Sequence, residues 1–270
     1  MPITNNSEFR VAIAVEYDGS AFNGWQKQSP PRLKTIQSEL ERALSCIADS
    51  QIRTTCAGRT DAGVHATCQI VHFDSPTDRP ERAWTRGVNS LLPPSVRVLW
   101  ARHVDGQFHA RFSATARHYQ YIIYHRATAS ALMRGRATYA ARPLDVNVMN
   151  SAAQNLVGEQ DFSVFRAAGC QSKTPFRCIN MASVSNYNGF IVLDIQANAF
   201  LQHMVRNITG ALLEVGQGER NTDWINELIA SKDRTQAGLT AAPDGLYMVG
   251  VEYPPDFSLP RCYESPMFLK

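Results

Sequence analysis

Val11-Ala12-Ile13-Ala14-Val15-Glu16-Tyr17, followed by Asp18-Gly19-Ser20 and Phe22, is the stretch from which the fold is read. Val11, Ile13 and Val15 alternate as a strand does across Phe9 to Tyr17, and Asp18-Gly19-Ser20 ends the strand with turn chemistry. Ile191-Val192-Leu193-Asp194-Ile195-Gln196-Ala197, with Phe200 after it, repeats the order of strand, aromatic loop and helix, a hint of weak internal duplication. Working outward, Thr35 is expected to cap a helix that aligns Ile36, Leu40, Leu44 and Ile47. Ile52 to Cys56 and Thr67 to Phe73 read as strands. A helix is expected over Pro80 to Leu92, with Trp84, Val88 and Leu91 inward, and strands over Val96 to Val104 and Phe112 to Tyr124. A less regular stretch, Arg126 to Arg142, precedes a helix opened by Asp145 and closed by Gly158. Phe190 to Ala197 reads as a strand, Gln202 to Val215 as a helix, Thr222 as the cap of a short helix and Leu246 to Tyr253 as a final strand. Strands and helices without regular βαβ alternation argue for α+β, with helices on one face of the sheets.

The 270 residues are 44% hydrophobic and 19% charged, enough to bury a sizeable core as one large or two small domains. Met1 to Arg10 is polar and lacks the apolar segment of a signal peptide, and no apolar run approaches the ~18 residues of a membrane span, so a cytoplasmic protein without membrane association is expected. The six cysteines form no CxxC pair, and free, mostly buried thiols are the expectation. The net charge of +3 hides a pattern, because 22 of the 27 basic residues are Arg. From Arg97 to Arg142 there are eight Arg, no Lys and one acid, Asp105, whereas Glu214 to Lys270 holds nine acids against five bases. The planar guanidinium grips phosphate in two-pronged fashion and stacks on bases, so this block favours a nucleic-acid partner, with an Arg set scattered over several faces as the plainer reading.

Several chemistries lack their residues. Gly19 to Gly24 begins like a phosphate loop, but Trp25 stands where the Lys belongs, and no GxGxxG opens a helix after a strand. HExxH, GxSxG and HxE with a following CxxC are also absent. What remains is Cys56-Ala57-Gly58-Arg59-Thr60-Asp61-Ala62-Gly63-Val64-His65-Ala66, a turn-rich connection between two expected strands that sets a carboxylate beside an Arg. Two roles fit Asp61. It caps a turn, as Asp commonly does, or it is an ionised nucleophile held by a guanidinium.

This segment resembles the catalytic loop of the tRNA pseudouridine synthase A (TruA) family. Three further stretches resemble that family in the same order: Tyr17-Asp18-Gly19-Ser20 with Phe22 and Gly24-Trp25-Gln26-Lys27-Gln28; His109-Ala110-Arg111-Phe112-Ser113-Ala114 with Tyr119-Gln120-Tyr121; and Asn198-Ala199-Phe200-Leu201-Gln202-His203-Met204-Val205-Arg206-Asn207. The resemblance runs from about Phe9 to Pro254. It implies isomerisation of uridine to pseudouridine in the anticodon stem-loop, at tRNA positions 38, 39 and 40, with no metal or cofactor, by a homodimer whose tRNA lies across both subunits. Asp61 would be the nucleophile and Arg206 its ion-pair partner. Arg59 would help displace the target nucleotide from its stack, Tyr119 would line the pocket and take the proton lost from C5, Leu246 would wall the pocket, and Arg111 would contact phosphate. His65, His109 and His203 are read as structural.

The expected architecture is α+β: two similar halves, each a mainly antiparallel sheet with helices on one face, the sheets joined across a central basic cleft. Residues 1–107 would hold the catalytic loop and 108–270 the pocket and RNA-binding elements. The alternative is a non-catalytic tRNA-binding or folding protein that uses the same Arg block. A glycosidase would need a second carboxylate near Asp61, whose sequence neighbourhood offers an Arg instead.

Overall fold

The computed structural model describes residues 9–28 and 33–270. Residues 1–8, on which the expectation about a leader segment largely rests, lie outside the described residues. The chain forms two compact units, one running to Thr115 and including Val249–Glu264, the other comprising Ala116–Met248 and Ser265–Lys270.

In the first unit, strand β1 (Phe9–Tyr17) leads to helix α1 (Ile36–Ala48), then β2 (Thr55–Cys56), β3 (His65–Ser75), the short helix α2 (Val88–Leu91) and β4 (Val96–His103). β1 is central, antiparallel to β3 on one side and β4 on the other. Its Val11 to Val15 are fully buried, and Leu40 and Leu44 of α1 are buried as well. Thr35 caps α1 as expected and shares a reciprocal capping box with Ser38. The register of β1 against β3 shifts between Val15 and Tyr17, directly before the Asp18-Gly19 turn. Bulges of this kind re-aim a chain and recur beside functional loops.

The second unit runs β5 (Ala116–His125), β6 (Thr138–Ala140), α3 (Val146–Gln154), β7 (Gly158–Asp161), β8 (Phe176–Tyr187), β9 (Phe190–Ala197), α4 (Met204–Gly216) and α5 (Trp224–Ser231). β9 is central here, antiparallel to β5 and β8; β7 extends the sheet beyond β8, and β6 adds to β5 in parallel. The last strand, β10 (Leu246–Glu252), is divided between the units at Met248. Both central strands pass an aromatic residue, Phe22 or Phe200, before a helix of 13 residues. Mixed elements with almost wholly antiparallel pairing give the α+β class.

Several expectations need correction. The strand over Ile52 to Cys56 shortens to Thr55–Cys56, because side chains of α1 take its backbone donors: Ser45 Oγ accepts from Ile52 N at 2.9 Å and Glu41 Oε1 from Thr54 N at 3.0 Å. The helix over Pro80 to Leu92 contains a π-helical turn, Ala83–Gly87, where Thr85 Oγ1 donates back to Glu81 O at 3.1 Å and competes with the helix ladder. β5 starts at Ala116, so Phe112 lies in a turn. Asp223, not Thr222, sits at the N-terminus of α5, while Asn221 Oδ1 accepts from Trp224 N. The thiols also differ from expectation: Cys68 and Cys262 are paired as a disulfide with Cα atoms 5.8 Å apart. Cys46 is exposed and Cys170 and Cys178 are half-buried, leaving Cys56 as the buried free thiol among the described residues. A pairing across 194 positions leaves no trace in local spacing.

Replacing Thr35 by Ala removes an acceptor from the first turn of α1 and should lower stability by about 1 kcal/mol, read from urea unfolding. An unchanged midpoint would show that the cap contributes nothing.

Candidate active site

The loop from Ala57 to Val64 joins β2 to β3, and nearly every turn of it is tied to backbone or to a buried side chain. Ala57 N donates to Ile70 O at 2.8 Å, which starts the loop from a fixed point on β3. Gln69, fully buried on the same strand, brackets the next residue: its Oε1 accepts from Gly58 N at 3.3 Å and its Nε2 donates to Gly58 O at 2.5 Å. Tyr17 Oη lies 2.9 Å from Thr60 Oγ1 and also accepts from Gln69 Nε2 at 3.5 Å. Burial pushes the ionisation of this phenol well above its ordinary range, so Tyr17 acts as a neutral hydroxyl.

The turn after β1 presses on the loop from the other side. Trp25 N donates to Thr60 O at 3.0 Å and Gly63 N to Phe22 O at 3.4 Å. Gly24 adopts φ +85°, and a Cβ there would lie 2.8 Å from Thr60 O and 3.1 Å from both Asp61 C and Ala62 N. Glycine alone permits both that φ and that approach. Gly19 packs still more closely, on the Val64 carbonyl, 1.9 Å from where its Cβ would lie. Its N–H reaches His65 Nδ1 at 3.1 Å, and Asp18 Oδ1 stands 3.3 Å from the same nitrogen. Unprotonated, that nitrogen accepts from Gly19; protonated, it donates to Asp18. The bond to His65 holds the Asp18 carboxyl far below the usual carboxylate range.

Asp61 is half-buried at the head of this loop and Arg59 is exposed. At its foot, burial pushes the Cys56 thiol up to about 12, against the opposing charges of Arg59 and Arg111. Cys56 is therefore a neutral thiol at physiological pH. Arg59 lies in the loop itself, and Arg111 in the turn that follows Ala110, whose N–H donates to His72 Nδ1 on β3 at 3.1 Å. Asp61, Arg59 and Arg111 all belong to the first unit.

The other three predicted residues belong to the second unit. Tyr119 is buried on β5 opposite Ile195, its ring edge-on to Phe200 with centroids 5.1 Å apart. Arg206 lies in the first turn of α4, which follows His203 in the left-handed conformation (φ 62°). Its Nε donates to Ala241 O at 2.8 Å, and Ala241 N returns a bond to Arg206 O at 3.1 Å. Tyr121, two residues from Tyr119 and so on the same face of β5, feels the charge of Arg206 and donates to Ala242 O at 2.7 Å. Gly245 packs against the Tyr121 ring, and Leu246 follows it, buried at the start of β10. Arg206 and Tyr121 thus bond to the adjacent carbonyls of Ala241 and Ala242, and Gly245, the residue before Leu246, packs on the Tyr121 ring.

Tyr17, Gln69 and Thr60, whose side chains hold the loop, have no assigned role in the sequence motifs. A signal existed for Gln69, an amide inside the apolar run Cys68 to Phe73, which a buried strand tolerates only with a partner. The Arg block is also less uniform than its charge suggested. Arg97 donates to the carbonyls of Pro93 and Val96, Arg102 pairs with Glu81, buried Arg117 donates to Asn198 O and Arg142 pairs with Glu219. Among the described residues no three His, Cys, Asp or Glu gather as metal donors do, and no helix is long and apolar enough to cross a membrane.

The chain that carries this clamped loop matches a known family over most of its length. The family model described as tRNA pseudouridine synthase matches residues 13–113 and 152–254, and the chain belongs to that family. The tRNA pseudouridine synthase A of Shewanella amazonensis (strain ATCC BAA-1098 / SB2B) is 53% identical over 260 residues, covering 96% of this chain and 99% of the relative. Those of Aeromonas salmonicida (strain A449) and Coxiella burnetii (strain Dugway 5J108-111) are 53% and 49% identical over the same length, covering 96% of this chain and 96% and 99% of theirs.

Two outcomes check the loop's construction. Gln69→Leu strands both polar groups of Gly58, each costing about 1–3 kcal/mol, and should lower turnover of uridine in tRNA by roughly tenfold or more while changing tRNA affinity little. Equal loss in both would show that Gln69 only supports the fold. In folded protein at pH 8, iodoacetamide should modify Cys46 and spare Cys56, read by peptide mass spectrometry; comparable rates would contradict the raised Cys56 ionisation.

Proposed function

We propose that this chain isomerises uridine to pseudouridine in the anticodon stem-loop of tRNA, at positions 38, 39 and 40, with Asp61 as nucleophile. The observation that carries the reading is the clamped Gly58–Asp61 loop in a chain that matches tRNA pseudouridine synthase A proteins over nearly its full length. The reaction breaks the bond from ribose C1′ to uracil N1 and makes one from C1′ to C5. N1 gains a proton and C5 loses one, so no oxidant or reductant enters. Asp61 adds to the uracil ring, attacks the ribose or deprotonates it; each route uses the ionised carboxylate. Holding that carboxylate before substrate arrives supplies the orientation the step requires.

The roles of the other residues follow the resemblance. Arg206 is the ion-pair partner of Asp61, and Tyr119 lays its ring against the uracil with its hydroxyl available for the proton lost from C5. Leu246 walls the base, and Arg111 holds phosphate. Arg59 occupies the space vacated when the target nucleotide leaves its stack, a step that costs a few kcal/mol. In this reading the half spanning 1–107 brings the nucleophile and 108–270 the pocket. The enzyme works in the cytoplasm as a homodimer with tRNA lying across both subunits.

Unmodified tRNA tritiated at uridine C5 should release label with the wild type and not with Asp61→Asn, although the variant still binds tRNA. Release by Asp61→Asn at a wild-type rate would remove Asp61 from the chemistry. Binding without release by the wild type would make the chain a non-catalytic tRNA-binding protein.

A further inference from the structure

Between β4 and β5 the chain makes a turn at His109–Ser113 whose geometry the isomerisation does not call for. Ser113 N donates to His109 O at 2.9 Å, and His109 N donates to Ser113 Oγ at 3.0 Å. The His109 Nδ1 accepts from both Arg111 N and Phe112 N at 3.2 Å, which fixes the imidazole under the turn. A nitrogen accepting two N–H groups carries no proton of its own, and burial of His109 lowers its proton affinity further. The Phe112 ring lies nearly parallel to this imidazole, centroids 4.4 Å apart at 24°, and His109 rests in turn on His72 at 4.7 Å. Burial pushes the His72 imidazole down to about 4, so the support beneath Phe112 is uncharged at neutral pH.

Phe112 itself is 76% exposed. Leu132, Leu239 and Met267 are as exposed, but they present no π face and are not mounted on a second ring. Exposing a large aromatic while bonding its base rigidly in place is a construction for a flat ligand. The Arg111 guanidinium lies 5.6 Å from the Phe112 ring centroid. Ala110 N donates to His72 Nδ1 at 3.1 Å, so the turn packs on β3, the strand that follows the Asp61 loop in the same unit.

We propose that Phe112, mounted on His109, is a stacking platform for an unpaired base of the anticodon loop, with Arg111 holding that nucleotide's phosphate. The inference rests on the reading of the chain as an enzyme of the anticodon stem-loop. Stacking on an aromatic ring accepts any base and adds affinity without adding charge neutralisation, whereas a phosphate contact does the reverse.

The two contributions separate in a salt series. Binding of a fluorescein-labelled anticodon stem-loop RNA is followed by anisotropy for the wild type, Phe112→Ala, Phe112→Tyr and Arg111→Ala. Phe112→Ala should weaken binding about tenfold at every salt concentration with the slope of log affinity against log salt unchanged, and Phe112→Tyr should restore it. Arg111→Ala should reduce the slope by ~0.7. Wild-type affinity in Phe112→Ala, or a slope reduced as in Arg111→Ala, would overturn the platform. So would a shift of oligomeric state in Phe112→Ala with RNA affinity intact, which would make the ring a contact for a second copy of the chain. Because the ring lies outside the core, Phe112→Ala should keep the wild-type melting temperature. Failure of the wild type to release tritium would instead defeat the enzymatic reading, while the anisotropy series judges the platform by itself.

Discussion

The backbone of Thr60 to Ala62 lies so close to Gly24 that no side chain fits between them, and the rest of the first unit is arranged around that approach. Ordering backbone costs about 1–2 kcal/mol per residue, so a loop from Ala57 to Val64 stays mobile unless many terms oppose that loss. Here the opposing terms come from two strands at once. β3 supplies Gln69 and the Ile70 carbonyl, β1 supplies Tyr17, and the turn after β1 supplies Gly19, Phe22, Gly24 and Trp25. The entropy of ordering the backbone around Asp61 is therefore met during folding.

This arrangement explains why the motif at Tyr17–Gln28 belongs with the motif at Cys56–Ala66: the first packs on the backbone of the second. One segment presents the carboxylate and the other is the mould against which it is shaped. The bulge between Val15 and Tyr17 turns the end of β1 toward that task. In the second unit, the paired bonds between Arg206 and Ala241 anchor the start of α4, and Tyr121 ties β5 to Ala242. A charged side chain and a buried phenol thereby fix the surroundings of Tyr119 and Leu246.

Much of this was legible in the amino-acid order, and the failures have physical causes. α1 follows its hydrophobic period because it buries one face, and β1, β9 and α4 stand out as long apolar runs because they are buried on nearly all sides. β8 escaped notice because a register shift between Ile179 and Met181 breaks its alternation, and its Asn180, Ser183 and Asn186 dilute the apolar signal. β6 is three residues long and borrows its order from β5. For the site, the loop announced itself through its glycines and its Arg-Thr-Asp, but periodicity left Asp61 undecided between turn and nucleophile; resemblance named its role. The long-range partners of the loop were invisible, since the bond from Tyr17 to Thr60 spans 43 positions and depends on strand pairing rather than on spacing. Charge counting misled in detail, because Arg97, Arg102, Arg117 and Arg142 hold carbonyls and carboxylates within the protein.

The most direct test of the clamped-carboxylate account is chemical mapping of pseudouridine along unmodified tRNA after incubation with the wild type and with Gly24→Ala. The account predicts modification at positions 38, 39 and 40 by the wild type, and loss of modification at those positions by Gly24→Ala despite retained folding and tRNA binding. Wild-type modification by Gly24→Ala, or modification by the wild type confined to positions outside the anticodon stem-loop, would contradict it.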